Sequence, residues 1–358
     1  MPAAATTTPT TEAAARPVPG SMRAVEAPAF GIDALRLVER PVPRPGPGEV
    51  LVRVRAASLN YRDLVILKGV YRPDLPLPYV PASDGCGEVV ELGPGVARFR
   101  LGDRVVPTYT QGWIDGLPTP EMRAQGTLGG PLAGLLQDYV AVPAEDAVAA
   151  PAHLTDAEAA TLPIAALTAW SVLQEGRVKP GDWVLVEGTG GVAVFALQLA
   201  KLAGARVVAI SSSDDKLARA RALGADATIN YRATPEWAGP VREATGGRGV
   251  DIAVETGGAA TLPQALAAAA LGGFVGVVGF VGGFEAVVDV RRLFGPMVRV
   301  QGIAVGSRSR FEAMNRAIAA HGLRPVVDGT FQLEAAAEAF ALMERGGHFG
   351  KIVISLAT

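Results

Sequence analysis

Cysteine and histidine are scarce in this sequence. Cys86 is the single cysteine among 358 residues, and the three histidines, His153, His321 and His348, lie far apart in the chain. One cysteine forms no intramolecular disulfide bond and supplies no four-cysteine zinc site, and the histidines lack metal-ligand spacing. We therefore expect no metal site, and a cytoplasmic protein in which Cys86 is a free packing thiol.

Excess charge of one sign is also missing. The 33 Lys and Arg residues nearly balance the 35 Asp and Glu residues, which leaves a formal net charge of -2, and no long block of like charge occurs. Proteins that bind nucleic acid or anionic membranes usually carry a basic patch or stripe. We therefore expect neither kind of partner, and a small-molecule substrate instead.

Neither a secretory signal nor a clear membrane span is evident. Residues 1–21 are mostly Ala, Thr and Pro without a basic start and an apolar stretch, so we expect a disordered tail there and a fold that begins at Met22. Residues 265–284 are uncharged and long enough to span a bilayer, but six glycines interrupt them. This pattern favours a short helix, a turn and a buried parallel strand.

The length of the chain predicts two domains, since one domain usually has roughly 100–200 residues. From Met22 to about Val148, short β-branched runs are separated by Gly and Pro, a pattern typical of a β-rich domain. The clearest runs are Val50–Arg55, Gly87–Glu91 and Asp103–Val106. We assign residues 22–150 to this domain.

From about Ala159 the pattern changes to strands that alternate with helices, which predicts a doubly wound parallel sheet and the α/β class. The six strand candidates are Val184–Val186, Val207–Ile210, Thr228–Asn230, Asp251–Val254, Phe274–Val278 and Val298–Val305. We assign residues 151–323 to this second domain. A helix around Glu334–Arg345 and a strand at Ile352–Ile354 would then return the chain to the first domain, so we group residues 324–358 with it.

A glycine turn follows the first of these strands. The turn and the start of the next helix read, in order, Gly188, Thr189, Gly190, Gly191, Val192 and Ala193. In a strand, turn and helix of this kind, Gly188 permits the tight turn and Gly190 lets the backbone approach a pyrophosphate. Ala193 allows close packing, and the helix N-terminus faces the anion. The segment predicts a dinucleotide site.

The end of the second strand bears on the choice of dinucleotide. A protein that prefers NAD carries an acidic residue about twenty positions after the turn, whereas this chain has Ser211 and Ser212. Lys216 lies one turn into the next helix, where it can reach a 2′-phosphate. We therefore predict NADP(H). The alternative is that Ser212, with Asp215 at capping-box spacing, only starts the helix and that Lys216 is only solvated.

Several segments occur in an order that resembles one known family. They are Gly85–Asp103, Leu167–Trp170, Lys179–Val186 with its glycine turn, and His348–Val353. In this order they resemble the medium-chain dehydrogenase/reductase superfamily, in particular its zinc-free branch of quinone oxidoreductases and enoyl reductases. The resemblance covers Met22 to the C terminus. It implies a GroES-like β-rich domain interrupted by a six-stranded Rossmann domain, with the active site between them.

The resemblance also bears on metal binding. Zinc-dependent relatives place a cysteine, a histidine followed by glutamate, and a second cysteine around a catalytic zinc ion, and this chain has Asn60, Ser83 with Asp84, and Ile164 there. These side chains cannot form a tight zinc site. The segment Tyr109–Gly134, which stands where relatives carry a structural zinc lobe, contains no cysteine. We therefore predict zinc independence.

Candidate catalytic residues come from the same comparison. Asn60 and Asp63 resemble an Asn-Phe-x-Asp element whose asparagine lies beside nicotinamide and substrate, and Tyr71 matches a pocket tyrosine of that branch. A second pocket tyrosine of the branch is replaced by Val65, so the pocket is not a copy. The alternative for Asn60 and Asp63 is a turn held by side-chain hydrogen bonds.

The remaining candidates are assigned to the pocket or the cofactor. The predicted pocket walls, which are equally consistent with core positions, are Tyr61, Tyr109 and Trp113. The further predicted cofactor contacts are Thr168, Tyr231, Gly257, Phe280 and Lys351. Thr168 matches a family position near the carboxamide, with helix packing as its alternative, and Tyr231 would be a flat support beside the 2′-phosphate.

These observations favour an NADPH-dependent enzyme that reduces a quinone or an activated C=C bond. Without a metal ion, an unactivated ketone is hard to polarise, whereas an enolate or hydroquinone anion can be stabilised by hydrogen bonds. Asn60 would orient the ring or the substrate oxygen, and Tyr71 or water would supply the proton. Two alternatives remain, a zinc-independent NADP-dependent alcohol or ketone dehydrogenase and a dinucleotide sensor without turnover. The strand Val298–Gly302 resembles the edge through which family members form homodimers.

Overall fold

The computed structural model describes residues 17–357. Residues 1–16, which are most of the predicted tail 1–21, and residue 358 lie outside the described part. The first strand begins at Ser21, one residue before the predicted start of the fold.

The amino-terminal third of the chain is rich in β-strands, and the three runs predicted there coincide with strands, except that Asp103 lies one residue before its strand. The strands are β1 Ser21–Glu26, β2 Arg36–Pro41, β3 Glu49–Ser58, β4 Asp84–Leu92, β5 Arg104–Pro107, β6 Tyr139–Pro143 and β7 Ala147–Ala149. Two short helices interrupt them, α1 Tyr61–Leu67 and α2 Pro120–Gln125. β3 is long and mostly buried because β4 and β6 both pair with it.

The middle of the chain forms the predicted doubly wound parallel sheet. Its strands are β8 Trp183–Glu187, β9 Arg206–Ser211, β10 Ala227–Asn230, β11 Val250–Glu255, β12 Ala269–Val277 and β13 Arg299–Gly302. The helices of this region are α3 Asp156–Ala159, α4 Leu167–Glu175, α5 Gly191–Leu202, α6 Asp214–Ala222, α7 Ala238–Ala244, α8 Leu262–Ala268 and α9 Arg291–Phe294. The strands lie in the order β10-β9-β8-β11-β12-β13, so all six predictions are confirmed. The order reverses between β8 and β11, where doubly wound sheets open a ligand crevice.

The last part of the chain returns to the β-rich sheet, as predicted. After α10 Arg308–His321, which packs against α4, this part contains β14 Val327–Gln332, α11 Ala336–Glu344 and β15 Lys351–Ser355. β15 pairs with β3 and with β14, and the larger sheet runs β14-β15-β3-β4-β5-β7. β14 was not predicted because it is only half buried and contains Gly329. The strand pairing is consistent with the assigned domains, whose exact boundaries stay a prediction.

The uncharged run 265–284 forms the end of α8, the buried strand β12 and a loop, as expected. Within residues 17–357, none of the helices is long and apolar enough to cross a membrane. β12 lies between two parallel strands, β11 and β13, in a sheet with helices on both faces. A strand that is covered on both faces needs apolar side chains on both, which explains the uncharged run.

Candidate active site

The glycine turn lies at the crevice between β8 and β11. Gly188 has a φ of 79°, a conformation that favours glycine, and its N–H donates to Ile210 O at 2.8 Å. A Cβ atom on Gly188 or Gly190 would meet nothing within 4 Å, so the space in front of the α5 N-terminus is open. Free N–H groups and the helix dipole there suit a pyrophosphate. The residues therefore fit a dinucleotide.

The carboxyl-terminal segment closes against this turn. Gly350 N–H donates to Thr189 O at 2.9 Å, and Gly190 and Gly350 form a bridge between the two parts of the molecule. The next residue, Lys351, passes so close that a Cβ atom on Gly191 would lie 2.7 Å from its Cδ. Glycine at position 191 is thus required by the path of a lysine 160 positions later in the sequence.

The Lys351 side chain ends in a buried polar network. Its Nζ donates to Asn60 Oδ1 at 2.7 Å and to Leu59 O at 2.6 Å. Asn60 Nδ2 in turn donates to Asp84 Oδ2 at 2.9 Å, and Ile164 N–H donates to the same oxygen at 3.2 Å. Asn60 therefore links a buried ammonium to a buried carboxyl group. From the sequence, only the family resemblance placed these residues near each other.

Burial dominates the electrostatics of this network. It raises the pKa of Asp84 to about 7, against the opposing effect of Lys351. It lowers the pKa of Lys351, which Asp84 and Asp63 oppose. Asp84 Oδ1 is buried and has no hydrogen-bond partner among the described residues. A ligand placed against this network can therefore change the protonation or the hydrogen bonding of Asp84 and Lys351.

Asp63 lies beside this network in the cap of α1. Its carboxylate accepts from Asn60 N–H at 2.9 Å and from Ser83 Oγ at 2.5 Å. Arg62 lies 3.7 Å from Asp63 and donates to Ser83 Oγ and to the carbonyl oxygens of two other residues. Asn60 and Asp63 form a capping box, as the alternative interpretation of this segment proposed. A catalytic role for Asp63 stays a prediction.

The positions that correspond to zinc ligands converge here but do not fit zinc. Asn60 offers its amide oxygen to Lys351, Ile164 contributes a backbone N–H, and Ser83 donates to Asp63. A buried ammonium beside Asn60 opposes a second cation, and zinc needs three or four thiolate, imidazole or carboxylate ligands. Among residues 17–357 there is no group of three His, Cys, Asp or Glu side chains that could hold a metal ion.

The predicted 2′-phosphate residues lie at the ends of β9 and β10. Ser211 is buried, and its carbonyl accepts from Tyr231 N–H at 3.0 Å. The cap of α6 is Ser213, whose Oγ accepts from Lys216 N–H at 3.4 Å, so the proposed cap at Ser212 was wrong by one residue. Because Ser213 performs the capping, Ser211 and Ser212 are free of that role.

Lys216 Nζ lies against the carboxyl-terminal segment, where it donates to Gly346 O at 2.6 Å. His348 is close by, and burial together with the positive charges of Lys216 and Lys351 lowers its pKa to about 4. The predicted cofactor residue Lys216 therefore lies against the carboxyl-terminal segment that carries His348 and Lys351.

Four aromatic side chains form what we call the aromatic lip, Tyr61, Tyr71, Phe280 and Phe284. The Tyr71 and Phe280 rings stack with centroids 5.7 Å apart, and Tyr61 meets Phe280 edge-on at 6.4 Å. Phe284 stacks on Phe280 at 4.9 Å. The tyrosines come from α1 and the loop after it, whereas the phenylalanines follow β12, so the lip spans both parts of the molecule. All but Phe280 are more than a third exposed.

The other two predicted pocket walls are buried and are not part of the aromatic lip. Tyr109 is buried with Arg62 4.7 Å above its ring, and Trp113 is buried with Nε1 donating to Gly116 O at 2.9 Å. Thr168 is buried on α4 and Val192 lies in the first turn of α5. Phe284 was not predicted from the sequence as a pocket residue, although a glycine-rich loop after a parallel strand is a usual place for ligand contacts.

Gly257 lies in the loop after β11, next to the loop that carries Phe280. Its carbonyl accepts from Gly282 N–H at 2.7 Å. Most of the predicted cofactor residues therefore lie at the carboxyl ends of strands β8 to β12, whereas Lys351 begins β15 and Thr168 lies on α4. This arrangement can hold an extended dinucleotide across the crevice, with the aromatic lip beside one end.

Two family models match the chain. Residues 46–152 match an alcohol dehydrogenase GroES-like domain, and residues 191–320 match a zinc-binding dehydrogenase domain. Among curated relatives, a zinc-type alcohol dehydrogenase-like protein of Schizosaccharomyces pombe is 44% identical over 91% of this chain and 96% of its own length. A chloroplastic quinone-oxidoreductase of Triphysaria versicolor is 32% identical over 93% and 98%.

Solved structures agree with these relatives. A putative alcohol dehydrogenase from Sinorhizobium meliloti 1021 is 45% identical, with a TM-score of 0.89 over 95% of this chain and 100% of its own. An NAD-dependent alcohol dehydrogenase is 40% identical, with a TM-score of 0.85 over 94% and 100%. The crotonyl-CoA carboxylase/reductase AntE, solved with NADP, is 26% identical, with a TM-score of 0.84 over 95% of both chains. The chain therefore belongs to the medium-chain dehydrogenase/reductase superfamily and is an NAD(P)H-dependent oxidoreductase.

Proposed function

We propose that this protein is a zinc-independent, NADPH-dependent reductase of quinones or activated C=C bonds. The observation that carries the proposal is the buried hydrogen-bonded chain from Lys351 through Asn60 to Asp84. By the family resemblance, Asn60 and Asp84 stand where zinc-dependent relatives carry residues of their metal site. The names of the chloroplastic quinone-oxidoreductase and of the NADP-bound crotonyl-CoA carboxylase/reductase support the reaction class.

Hydrogen-bond donors do the polarising work in this proposal. The Asn60 amide has two N–H groups, one of which donates to Asp84, so the second is free to donate to a substrate oxygen. The Lys351 ammonium has three N–H groups and uses two of them on protein oxygens. A well-placed donor stabilises a developing oxyanion by roughly 3–4 kcal/mol, which suffices for an enolate or hydroquinone anion.

Lys351 also acts as a positioning residue. Because its ammonium donates to Asn60 Oδ1, the Asn60 amide cannot flip without facing a donor with its own N–H groups. Asp84 enforces the same orientation from the other side by accepting from Nδ2. The network therefore preorganises the donor, and preorganisation is what makes such a group effective.

Cofactor choice follows from Ser211 and Lys216. A carboxylate at the end of β9 would oppose the 2′-phosphate, whereas a buried serine does not, and the Lys216 ammonium attracts that phosphate. When bound, NADPH supplies the hydride for the reduction. The aromatic lip shields the neighbouring space from water and offers an apolar surface to the acceptor. The Tyr71 hydroxyl, which lies in the lip, is our candidate proton donor.

The test is an assay of purified protein with NADPH and a panel of quinones, enones and acrylates, followed by cofactor absorbance. We expect turnover with conjugated acceptors, turnover that survives a chelator, and less than stoichiometric zinc by elemental analysis. A tightly bound equivalent of zinc, or loss of activity with the chelator, would contradict zinc independence.

Alcohol or ketone turnover is the second candidate, because several similar proteins are named alcohol dehydrogenases. The same protein with primary and secondary alcohols and NADP⁺ separates the two. Faster alcohol oxidation than enone reduction at saturating cofactor would favour the second candidate over the first.

A further inference from the structure

Two buried carboxyl groups lie at the floor of the cofactor crevice and take no part in the reaction described above. Glu187 is the last residue of β8 and Glu255 is the last residue of β11. Val186 and Val254 pair in register, so the two glutamates follow side by side at the carboxyl ends of neighbouring parallel strands. Both are at least 97% buried. This is the point where the strand order of the sheet reverses.

The two carboxyl groups have unequal partners. Glu255 accepts from Gly257 N–H at 3.0 Å, from Gly258 N–H at 2.9 Å and from the Thr261 hydroxyl. Glu187 Oε2 accepts a long hydrogen bond from Thr256 N–H at 3.4 Å. Its Oε1 accepts no hydrogen bond from the described residues. Glu255 is therefore the better stabilised carboxylate, and Glu187 has an oxygen free to carry a proton.

We propose that Glu187 and Glu255 share one proton, and that this acid pair is a positioning element that holds the loop after β11 and, through it, the phenylalanines of the aromatic lip. The inference rests on the cofactor crevice of the proposed function. It does not depend on which acceptor is reduced.

The proton is required by the location of the pair. Two adjacent carboxylates without water cannot both stay ionised, and a second negative charge would also lie beneath the crevice in which an anionic pyrophosphate binds. Burial and the neighbouring Glu255 raise the pKa of Glu187 well above its ordinary value. The groups that lower it are the neutral donors Thr261 and Thr256, and the residue paired with Glu187 on β9 is the uncharged Ile210.

The connection from the pair to the lip is a continuous set of short contacts. The loop Thr256–Thr261 donates hydrogen bonds to both glutamates, since Thr256 Oγ1 also donates to Glu187 O at 2.9 Å. This loop then binds the segment 279–283 through Gly282 N–H to Gly257 O at 2.7 Å and Ala259 N–H to Gly283 O at 3.1 Å.

The two loops approach each other too closely for side chains at the contact points. A Cβ atom on Gly258 would lie 2.6 Å from Gly283 O, and one on Gly279 would lie 2.4 Å from Thr256 O. Phe280, between these points, stacks on Tyr71 across the crevice. A shift of the first loop must therefore move the second loop and its phenylalanine with it.

The experiment compares Glu187→Gln, Glu187→Leu and wild type in NADPH binding, measured by calorimetry from pH 6 to pH 10. Gln keeps a donor toward Glu255 without a titratable proton, so its Kd should stay within about twofold of wild type at pH 7. In wild type the Kd should rise at alkaline pH as the shared proton is lost, and Gln should abolish that rise. Leu removes the donor and should weaken binding at least about fivefold at every pH.

Asp146→Asn is the matched control, because Asp146 is another buried carboxyl group with a raised pKa but lies in the β-rich part, where it accepts from Gly112 N–H. It should leave the pH dependence of NADPH binding as in wild type. If Gln retains the alkaline rise, or weakens binding as much as Leu does, the shared proton is wrong. Binding needs no acceptor, so this result stays distinct from a failure of the proposed reductase activity.

A second readout tests the link to the lip. With an accepted quinone or enone at saturating NADPH, Glu187→Leu should raise the KM for the acceptor more than it lowers kcat, because the displaced phenylalanines belong to the acceptor side. Equal effects of Gln and Leu on KM, with cofactor binding unchanged, would overturn the positioning role.

Discussion

Lys351 is an unusual lysine because its ammonium is buried. Removing an ammonium group from water costs several kcal/mol unless hydrogen bonds and an opposite charge compensate. Leu59 O, Asn60 Oδ1 and, through Asn60, the Asp84 carboxyl group provide that compensation. A buried lysine with these compensating partners often has a role in the site around it. In the proposed function, Lys351 orients the Asn60 amide.

In the proposed function, Tyr71 of the aromatic lip is the candidate proton donor. We expect Tyr71→Phe to lower kcat about tenfold or more while leaving the Kd for NADPH within about twofold, because the hydroxyl acts on the reacting acceptor only. Steady-state kinetics and calorimetry measure the two quantities. Tyr139→Phe, a half-buried tyrosine of β6, is the control. Unchanged kcat in Tyr71→Phe would remove this residue from the mechanism.

Cofactor choice is tested at Ser211 and Lys216. The double variant Ser211→Asp, Lys216→Ala should weaken NADPH binding by roughly 2–3 kcal/mol, or about a hundredfold, and leave NADH nearly unchanged. Calorimetric titration with both cofactors gives the ratio. Arg221→Ala, an exposed position on α6, is the matched control. If wild type binds both cofactors equally and the double variant keeps that ratio, the predicted NADP(H) preference is wrong.

His348 predicts an acid sensitivity. Its pKa falls from an ordinary 6.5 to about 4 in the folded chain, so the unfolded chain binds more protons between these values. The contribution of His348 to the free energy of unfolding should therefore be fully present above about pH 6.5 and fall by about 2–3 kcal/mol as the pH drops to 4. His348→Gln should remove most of that fall in urea unfolding at pH 7 and pH 4.5. The exposed His321→Gln should not, and equal behaviour of the two variants would contradict the prediction.

At the scale of elements, the start of α5 and the start of β15 are built around each other. Gly350 bonds to the glycine turn, and Lys351 fills the space that a side chain at position 191 would need. The first turn of α5 thus has two roles. Its N–H groups face the cofactor crevice, and the absence of a side chain at Gly191 leaves room for Lys351. Sequence motifs account for the first of these roles but not for the second.

This packing predicts the effect of one added methyl group. Gly191→Ala should destabilise the protein by about 1–3 kcal/mol and reduce NADPH affinity, because its Cβ would meet Lys351 Cδ at 2.7 Å and Ala165 Cβ at 3.1 Å. Gly239→Ala is the matched control, since the same methyl group on α7 meets nothing within 4 Å and should be neutral or slightly stabilising. Thermal unfolding measures both. Similar effects of the two substitutions would argue against the tight packing.

At the scale of the whole molecule, the outer strand of the parallel sheet is unpaired on one side. β13 pairs only with β12 within the described chain, and its four residues are exposed. Exposed apolar side chains continue around it, including Phe294, Met297 and Val300. An open, apolar edge of this kind invites pairing with a second copy. The predicted homodimer would use this edge.

Val300→Glu tests that prediction, because two copies of an edge strand would bring the new carboxylates together. We expect the variant to sediment as a monomer at a concentration where wild type is a dimer. Leu37→Glu, an equally exposed position on β2, should leave the assembly unchanged. A monomeric wild type, or a dimer that survives Val300→Glu, would contradict the predicted interface.

The sequence by itself determined the architecture and the cofactor turn. Buried parallel strands need apolar runs and dinucleotide turns need glycines at fixed spacing, so the strand from Val184 and the turn from Gly188 could be predicted from local residues. The carboxyl-terminal strand at Ile352 could be predicted for the same reason. The exceptions are locally ambiguous, such as the half-polar β14 and the cap that lies at Ser213 rather than Ser212.

Only the tertiary structure decided which distant side chains meet. Asn60 joins Lys351 and Asp84, Glu187 lies beside Glu255, and Tyr71 stacks on Phe280, although each pair is separated by tens to hundreds of residues. No local pattern encodes such contacts, because they depend on strand order, on register and on the return of the chain through β15. The chemistry of the site depends on these contacts, since burial and proximity, rather than residue type alone, determine the charge and the hydrogen-bond partners of each group.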